Sequence, residues 1–155
     1  MSPNIIKKES FHLIGYSLPT NLHDEEEREV INQSIMQLKS VEGEIPNKVR
    51  DDILVLQIYP QMEQFNPFIK KERLIIGFEV SKLDQIPQNT NLYTIEENMY
   101  VKCKHRGNRT DIYKTYDYLY NNWLHQNRCV PLGYDMEVWN KNGESNICIA
   151  VNKIS

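Results

Sequence analysis

The chain has 155 residues, of which 40% are hydrophobic and 25% charged, with a net charge of −3. That length buries a core without disulfides or metal, and without a basic excess direct binding of nucleic acid is disfavoured. The first eight residues hold no apolar stretch of signal-peptide length and no later run reaches a membrane span, so a cytosolic protein with no membrane partner is expected.

Phe11 to Leu18 reads as a strand, broken by Pro19-Thr20-Asn21. The acidic run Asp24 to Glu27 then opens a helix, because carboxylates favour the positive end of the helix dipole, and Ile31, Ile35 and Leu38 supply an inward stripe. Gly43 and Pro46 end it. Ile53 to Tyr59 and Leu74 to Val80 read as two strands separated by a polar, proline-containing turn. The polar stretch from Ser81 to Thr94, with Pro87, reads as a connection.

The pattern then restarts. Tyr100 to His105 is strand-like, Gly107-Asn108 is a turn, and Asp111 is placed to complete a capping interaction with Asn108. A long helix carries Ile112, Tyr116, Leu119, Tyr120 and Trp123 at three- and four-residue spacing and ends before Pro131-Leu132-Gly133. Tyr134 to Trp139 and Asn146 to Val151 read as strands joined by an Asn140-Lys141-Asn142-Gly143 hairpin turn. The expected fold is therefore α+β, a tandem pair of β-α-β-β units (one about 1–82, the other about 95–155) in a single domain, 1–155. Two repeated units enclose a seam, and such seams either pack shut or form ligand clefts.

Glu137 is the main pointer to function. It sits in Tyr134-Asp135-Met136-Glu137-Val138-Trp139, where burial of an ionised acid among apolar groups costs several kcal/mol, of order ~3–5, unless a partner compensates it. Strand alternation puts Asp135, Glu137 and Trp139 on one face and Met136 and Val138 on the other, the latter pair suiting a helix-packed side. A carboxylate beside an aromatic plane suits an organic cation; the alternative is a solvated surface glutamate. Glu79 either faces the same cleft or is a structural acid paired with a lysine or arginine. Tyr59 is a candidate wall residue and Cys148 a candidate for the opposite side. Tyr116, Tyr120 and Trp123 form an aromatic stripe that is either core or the tyrosine-rich wall of a damp pocket.

Other chemistries lack their signatures. Cys103, Cys129 and Cys148 are odd in number and widely spaced, so reduced thiols are expected. His12, His23, His105 and His125 show no metal spacing, and His105-Arg106-Gly107 with Lys102, Lys104 and Arg109 reads as solvated surface. No phosphate-binding glycine loop or serine elbow is present, so no cofactor, metal site or nucleotide chemistry is expected.

Several stretches together resemble the GyrI-like small-molecule-binding domain, the effector-binding domain of AraC-type and MerR-type regulators. They are Phe11-His12-Leu13-Ile14-Gly15-Tyr16, Ile45-Pro46-Asn47-Lys48-Val49, Ile76-Gly77-Phe78-Glu79-Val80, Tyr120-Asn121-Asn122-Trp123-Leu124 and Met136-Glu137-Val138-Trp139. The resemblance implies a pseudo-two-fold antiparallel sheet with a central ligand cleft and makes Glu137 the pocket carboxylate. It departs from the family pattern at Glu96 and His125, where relatives often have proline, and at Met136 and Trp139. It implies a stand-alone bacterial protein that binds lipophilic molecules, cationic or aromatic, as sensor or sequestering agent. The expected ligand-binding set is Glu137, Trp139, Glu79, Tyr116, Tyr120, Trp123 and Tyr59. The alternatives are a small-molecule hydrolase using Glu137 and a protein-binding factor that protects a topoisomerase.

Overall fold

The structure, a computed structural model, describes residues 2–20, 24–61, 64–68 and 70–154. Asn21 and His23, named above in the strand break and among the histidines, lie outside the described residues. Eight strands form one antiparallel sheet: β1 (Asn4–Lys8), β2 (Phe11–Leu18), β3 (Ile53–Ile58), β4 (Arg73–Val80), β5 (Asn91–Ile95), β6 (Asn98–His105), β7 (Cys129–Trp139) and β8 (Ser145–Lys153). Their order is β1-β6-β8-β7-β3-β4-β2-β5. Helix α1 (Asp24–Ser40) follows β2, and after β6 a second helix begins as α2 (Ile112–Tyr118), widens into a π-helical turn (Leu119–Trp123) and closes as α3 (Leu124–Gln126).

The order is symmetric about the β3/β7 pair. On one side run β7, β8 and β6, on the other β3, β4 and β2, and each half ends on the short first strand of the other: β1 pairs with β6, and β5 with β2. Neither short strand is read from the sequence. Each is a five-residue edge strand with few buried positions, so it carries little alternation, and its partner lies in the opposite half of the chain. β5 thus occupies the end of the stretch read as a connection.

This exchange forces the sheet to curl. β1 and β2 stand six places apart in the order, ~29 Å in a flat sheet at ~4.8 Å per strand. Only Glu9 and Ser10 join them, and three Cα steps reach at most ~11 Å. Glu96 and Glu97 impose the same limit between β5 and β6. The curled inner face packs against itself through Phe11, Leu13, Leu54, Leu56, Tyr100, Met136 and Ala150. Both helices lie on the outer face. Here α1 packs Ile31, Ile35 and Leu38 over Ile14, Val55, Ile76 and Phe78, and the second helix packs Tyr116, Leu119, Tyr120 and Leu124 over Val101, Ile147 and Ile149.

Local signals hold in part. Gly143 closes the β7-β8 turn at φ 87°, its N–H donating to the Asn140 carbonyl at 3.1 Å. Asn108 makes no side-chain cap; its carbonyl accepts the Asp111 N–H at 3.0 Å and lies 2.7 Å from the His105 ring. His105 is itself buried, with its other ring nitrogen 2.8 Å from Thr115, a correction to its reading as solvated surface. β7 begins at Cys129, earlier than expected, with an irregularity between Pro131 and Asp135.

Where β2 pairs with β4, Gly15 stands opposite Gly77. A Cβ on Gly15 would run into the Ile76 carbonyl, and one on Gly77 would stand 2.5 Å from the Ile14 carbonyl oxygen. Backbone cannot yield as a side-chain tip does. Gly15→Ala is therefore expected to lower the unfolding free energy by about 3 kcal/mol, read from urea denaturation.

Candidate functional site

The seam between β3 and β7 lies on the outer face, between the two helices. β7 places Asp135 and Glu137 two residues apart, ~6.8 Å along a strand. Tyr116 and Tyr120, four residues apart, stand ~6 Å apart along a helix. The near match lets one helix face satisfy both acids: the Tyr116 hydroxyl donates to Glu137 Oε2 at 2.7 Å and that of Tyr120 to Asp135 Oδ2 at 2.7 Å. Gln57, opposite Asp135 on β3, ties the seam together. Its amide nitrogen lies 2.9 Å from Asp135 Oδ1, 2.9 Å from the Tyr116 hydroxyl and 3.3 Å from Glu137 Oε2. The Trp139 indole N–H donates to Glu137 Oε1 at 2.9 Å.

Electrostatics at this floor are unusual. Asp135 is fully buried, and burial above all, with the charge of Glu137 adding, pushes its carboxyl up to about 7 against the hydrogen bonds of Tyr120, Tyr59 and Gln57. Burial, and next the charge of Asp135, also raises the Tyr59, Tyr116 and Tyr120 phenols well above their ordinary value. They therefore act as hydrogen-bond donors near neutral pH. Glu137 makes no salt bridge among the described residues; every donor that holds it is neutral.

Glu137 opens onto a groove of about 300 Å³ walled by Ile31 of α1, Val55, Leu74, Ile112 and Trp139 and lined also by Arg28 and by the Glu27–Lys71 ion pair. A neighbouring hollow of about 620 Å³, which includes Phe78 and Arg109, shares Asn32 and Trp139 with it. The Arg109 guanidinium lies 4.4 Å over the Trp139 ring and its Nε donates to Ser145 Oγ at 2.6 Å. Burial lowers its pKa, and the charge of Glu137 opposes that. At the other end Phe65 stacks on Tyr120, centroids 3.7 Å apart and planes within 7°, with Tyr59 edge-on to both.

Of the residues singled out from sequence, Glu137, Trp139, Tyr116, Tyr120 and Tyr59 come together here. Trp123 does not: it packs half-buried against the cluster of Val101, Leu119 and Leu124. Glu79 is on the inner face, where Lys8 Nζ donates to Oε1 at 2.9 Å, so it is a paired acid beside an inner hollow and not a residue of the Glu137 groove. Met136 and Val138 also face inward and not toward a helix. The tyrosine hydroxyls draw the second helix onto the acidic parity, while the curl of the sheet covers the apolar one. Sequence reasoning missed Asp135, Gln57, Arg109 and Phe65 as members of the site. Asp135 shared the parity of Glu137 and was legible; Gln57 and Arg109 were not, because only strand pairing and the Trp139 contact bring them in.

A curled α+β sheet with two helices flanking a groove that holds Glu137 beside Trp139, over a floor of tyrosine–acid hydrogen bonds, defines a ligand-binding domain. The GyrI-like small molecule binding domain matches residues 1–151, and the chain belongs to that family. Sequence comparison with curated proteins gives no match. Among solved structures it is similar to SAV2435 bound to tetraphenylphosphonium (13% identity, 98% of this chain and 94% of that one, TM-score 0.65). It is similar also to the EcmrR C-terminal domain (12% identity, 99% and 98%, TM-score 0.68) and to an integron cassette protein of Vibrio cholerae (15%, 97% and 95%, TM-score 0.59). At such identities these likenesses speak for the fold.

The raised Asp135 carboxyl has a pH signature. Its folded value of about 7 lies above the ordinary aspartate value of 3.8, so between these the folded state binds more protons than the unfolded one. Stability from this group is present at pH 4 and is lost as pH rises toward and through 7. Asp135→Asn is expected to flatten that slope and raise the midpoint at pH 8, which thermal denaturation across pH 4–8 measures.

Proposed function

We propose that the outer groove captures lipophilic organic cations, with Glu137 as their counter-ion and Trp139, Tyr116, Tyr120 and Tyr59 as its aromatic surroundings, and that this capture serves sensing or sequestration. The observation that carries this reading is the setting of Glu137: an acid, 8% exposed, held by neutral donors and set among Ile31, Val55, Leu74 and Trp139 in the groove. A buried acid with no salt-bridge partner among the described residues is costly to ionise, and an organic cation relieves that cost while covering apolar wall. Trp139 suits the wall, with a ring for the cation and an indole N–H on the Glu137 carboxyl, while Tyr116 supplies a second donor from beneath. Tetraphenylphosphonium, present with the similar SAV2435, is the fitting probe.

The test is a titration followed by tryptophan fluorescence, with neutral triphenylphosphine oxide as control. Tetraphenylphosphonium is expected to bind the native protein, and Glu137→Gln to weaken it about tenfold or more while leaving the oxide unaffected. Equal binding of the cation by native protein and variant would sink the reading.

A further inference from the structure

The inner face holds two hollows that the pseudo-two-fold exchanges. One, about 390 Å³, lies against β1, β3, β7 and β8; the other, about 410 Å³, lies against β5, β7, β3 and β4. Equivalent by topology, they differ in chemistry. The β5 hollow is walled by apolar and aromatic groups, with Arg73 stacked 5.5 Å over Tyr93. The β1 hollow has an apolar floor of Leu54, Met136 and Val138 beside four basic residues, Lys7, Lys8, Arg50 and Lys102, and two acids, Asp52 and Glu79.

That basic rim is not a product of composition, since the chain as a whole carries −3. Nor does the fold require it, because the equivalent hollow does without. Two of the cations are spoken for: Lys8 pairs with Glu79 at 2.9 Å, and Lys7 reaches Glu97 at 3.7 Å. Arg50 and Lys102 enter no salt bridge among the described residues. Lys102 stands opposite Cys148 on β8, whose thiol lines the same floor. Burial pushes that thiol up to about 11, while Lys102, Lys8 and Arg50 each pull it down, so their positive field converges at this point.

We propose that the β1 hollow is a second binding site, for a small amphiphilic anion whose carboxylate or phosphate lies between Arg50 and Lys102 and whose apolar body lies on Leu54, Met136 and Val138. A guanidinium and an ammonium without internal partners supply charge-assisted donors, and the methionine floor accepts an aromatic or aliphatic body. The volume suits a ligand of that size. The site is on the opposite face of the sheet from Glu137 and stands independently of the cation groove.

Calorimetric titration with 4-phenylbutyrate and with phenyl phosphate tests it, the two arms separating carboxylate from phosphate preference, with 4-phenyl-1-butanol as the uncharged control. At least one anion is expected to bind, about tenfold or more tighter than the alcohol, and to weaken about tenfold in the R50Q/K102Q double variant while keeping its affinity in Glu137→Gln. In the native protein, amide shifts are expected on β6 and β8 around Lys102 and Cys148. Binding of neither anion, equal binding of the alcohol, indifference to the double variant, or shifts confined to the second helix would each overturn the proposal.

Discussion

The match between tyrosines four apart on a helix and acids two apart on a strand sets how the second helix sits on the sheet. Tyr116 with Glu137 and Tyr120 with Asp135 fix its axial position to within a residue, since a slip of one would take the tyrosine donors away from both buried carboxyls. Gln57 extends the same constraint across the central strand pair into the other half. Among the described residues no buried side-chain polar atom lacks a partner, so this acidic floor is fully hydrogen-bonded although it has no salt bridge. Such networks rigidify a core when complete. The π-helical turn at Leu119–Trp123 falls beside Tyr120, in keeping with the tendency of wide turns to mark functional segments.

A second constraint divides the molecule into two chemistries. Two-residue links that join strands six places apart bend the sheet until its inner face closes on itself, so the helices are needed on one side only. The outer face then carries the groove of Glu137 and Trp139 and the inner face carries hollows at the ends of the curl. Gly15 and Gly77 lie where the backbones of β2 and β4 come close, which is why side chains are excluded there. Membership of the GyrI-like family fits this arrangement; no helix among the described residues is long and apolar enough to cross a membrane.

Much of the fold was legible. Periodicity placed α1, the second helix and six of the eight strands, because those elements are half-buried and their inward faces show in the residue pattern. β1 and β5 were not, since an edge strand of five residues has little to alternate and its pairing is decided by chain far away. The site divides in the same way. Glu137, Trp139 and Asp135 share one strand parity, and Tyr116 and Tyr120 one helix face, so both halves could be read. Which face of the sheet the helix covered could not: the apolar parity of Met136 and Val138 pointed to the helix, and the sheet's own curl covers it instead.

By itself, then, the sequence determined the repeat, the helix stripe and the alternation that puts two acids and a tryptophan on one side of β7, because these depend on neighbours within a few residues. The tertiary structure alone decided that Gln57 bridges the acids, that Arg109 covers Trp139, that Glu79 pairs with Lys8 on the far side, and that a basic hollow forms around Lys102. Each of these joins residues distant in the chain through strand exchange and curl, and no local pattern records which distant strand becomes a neighbour.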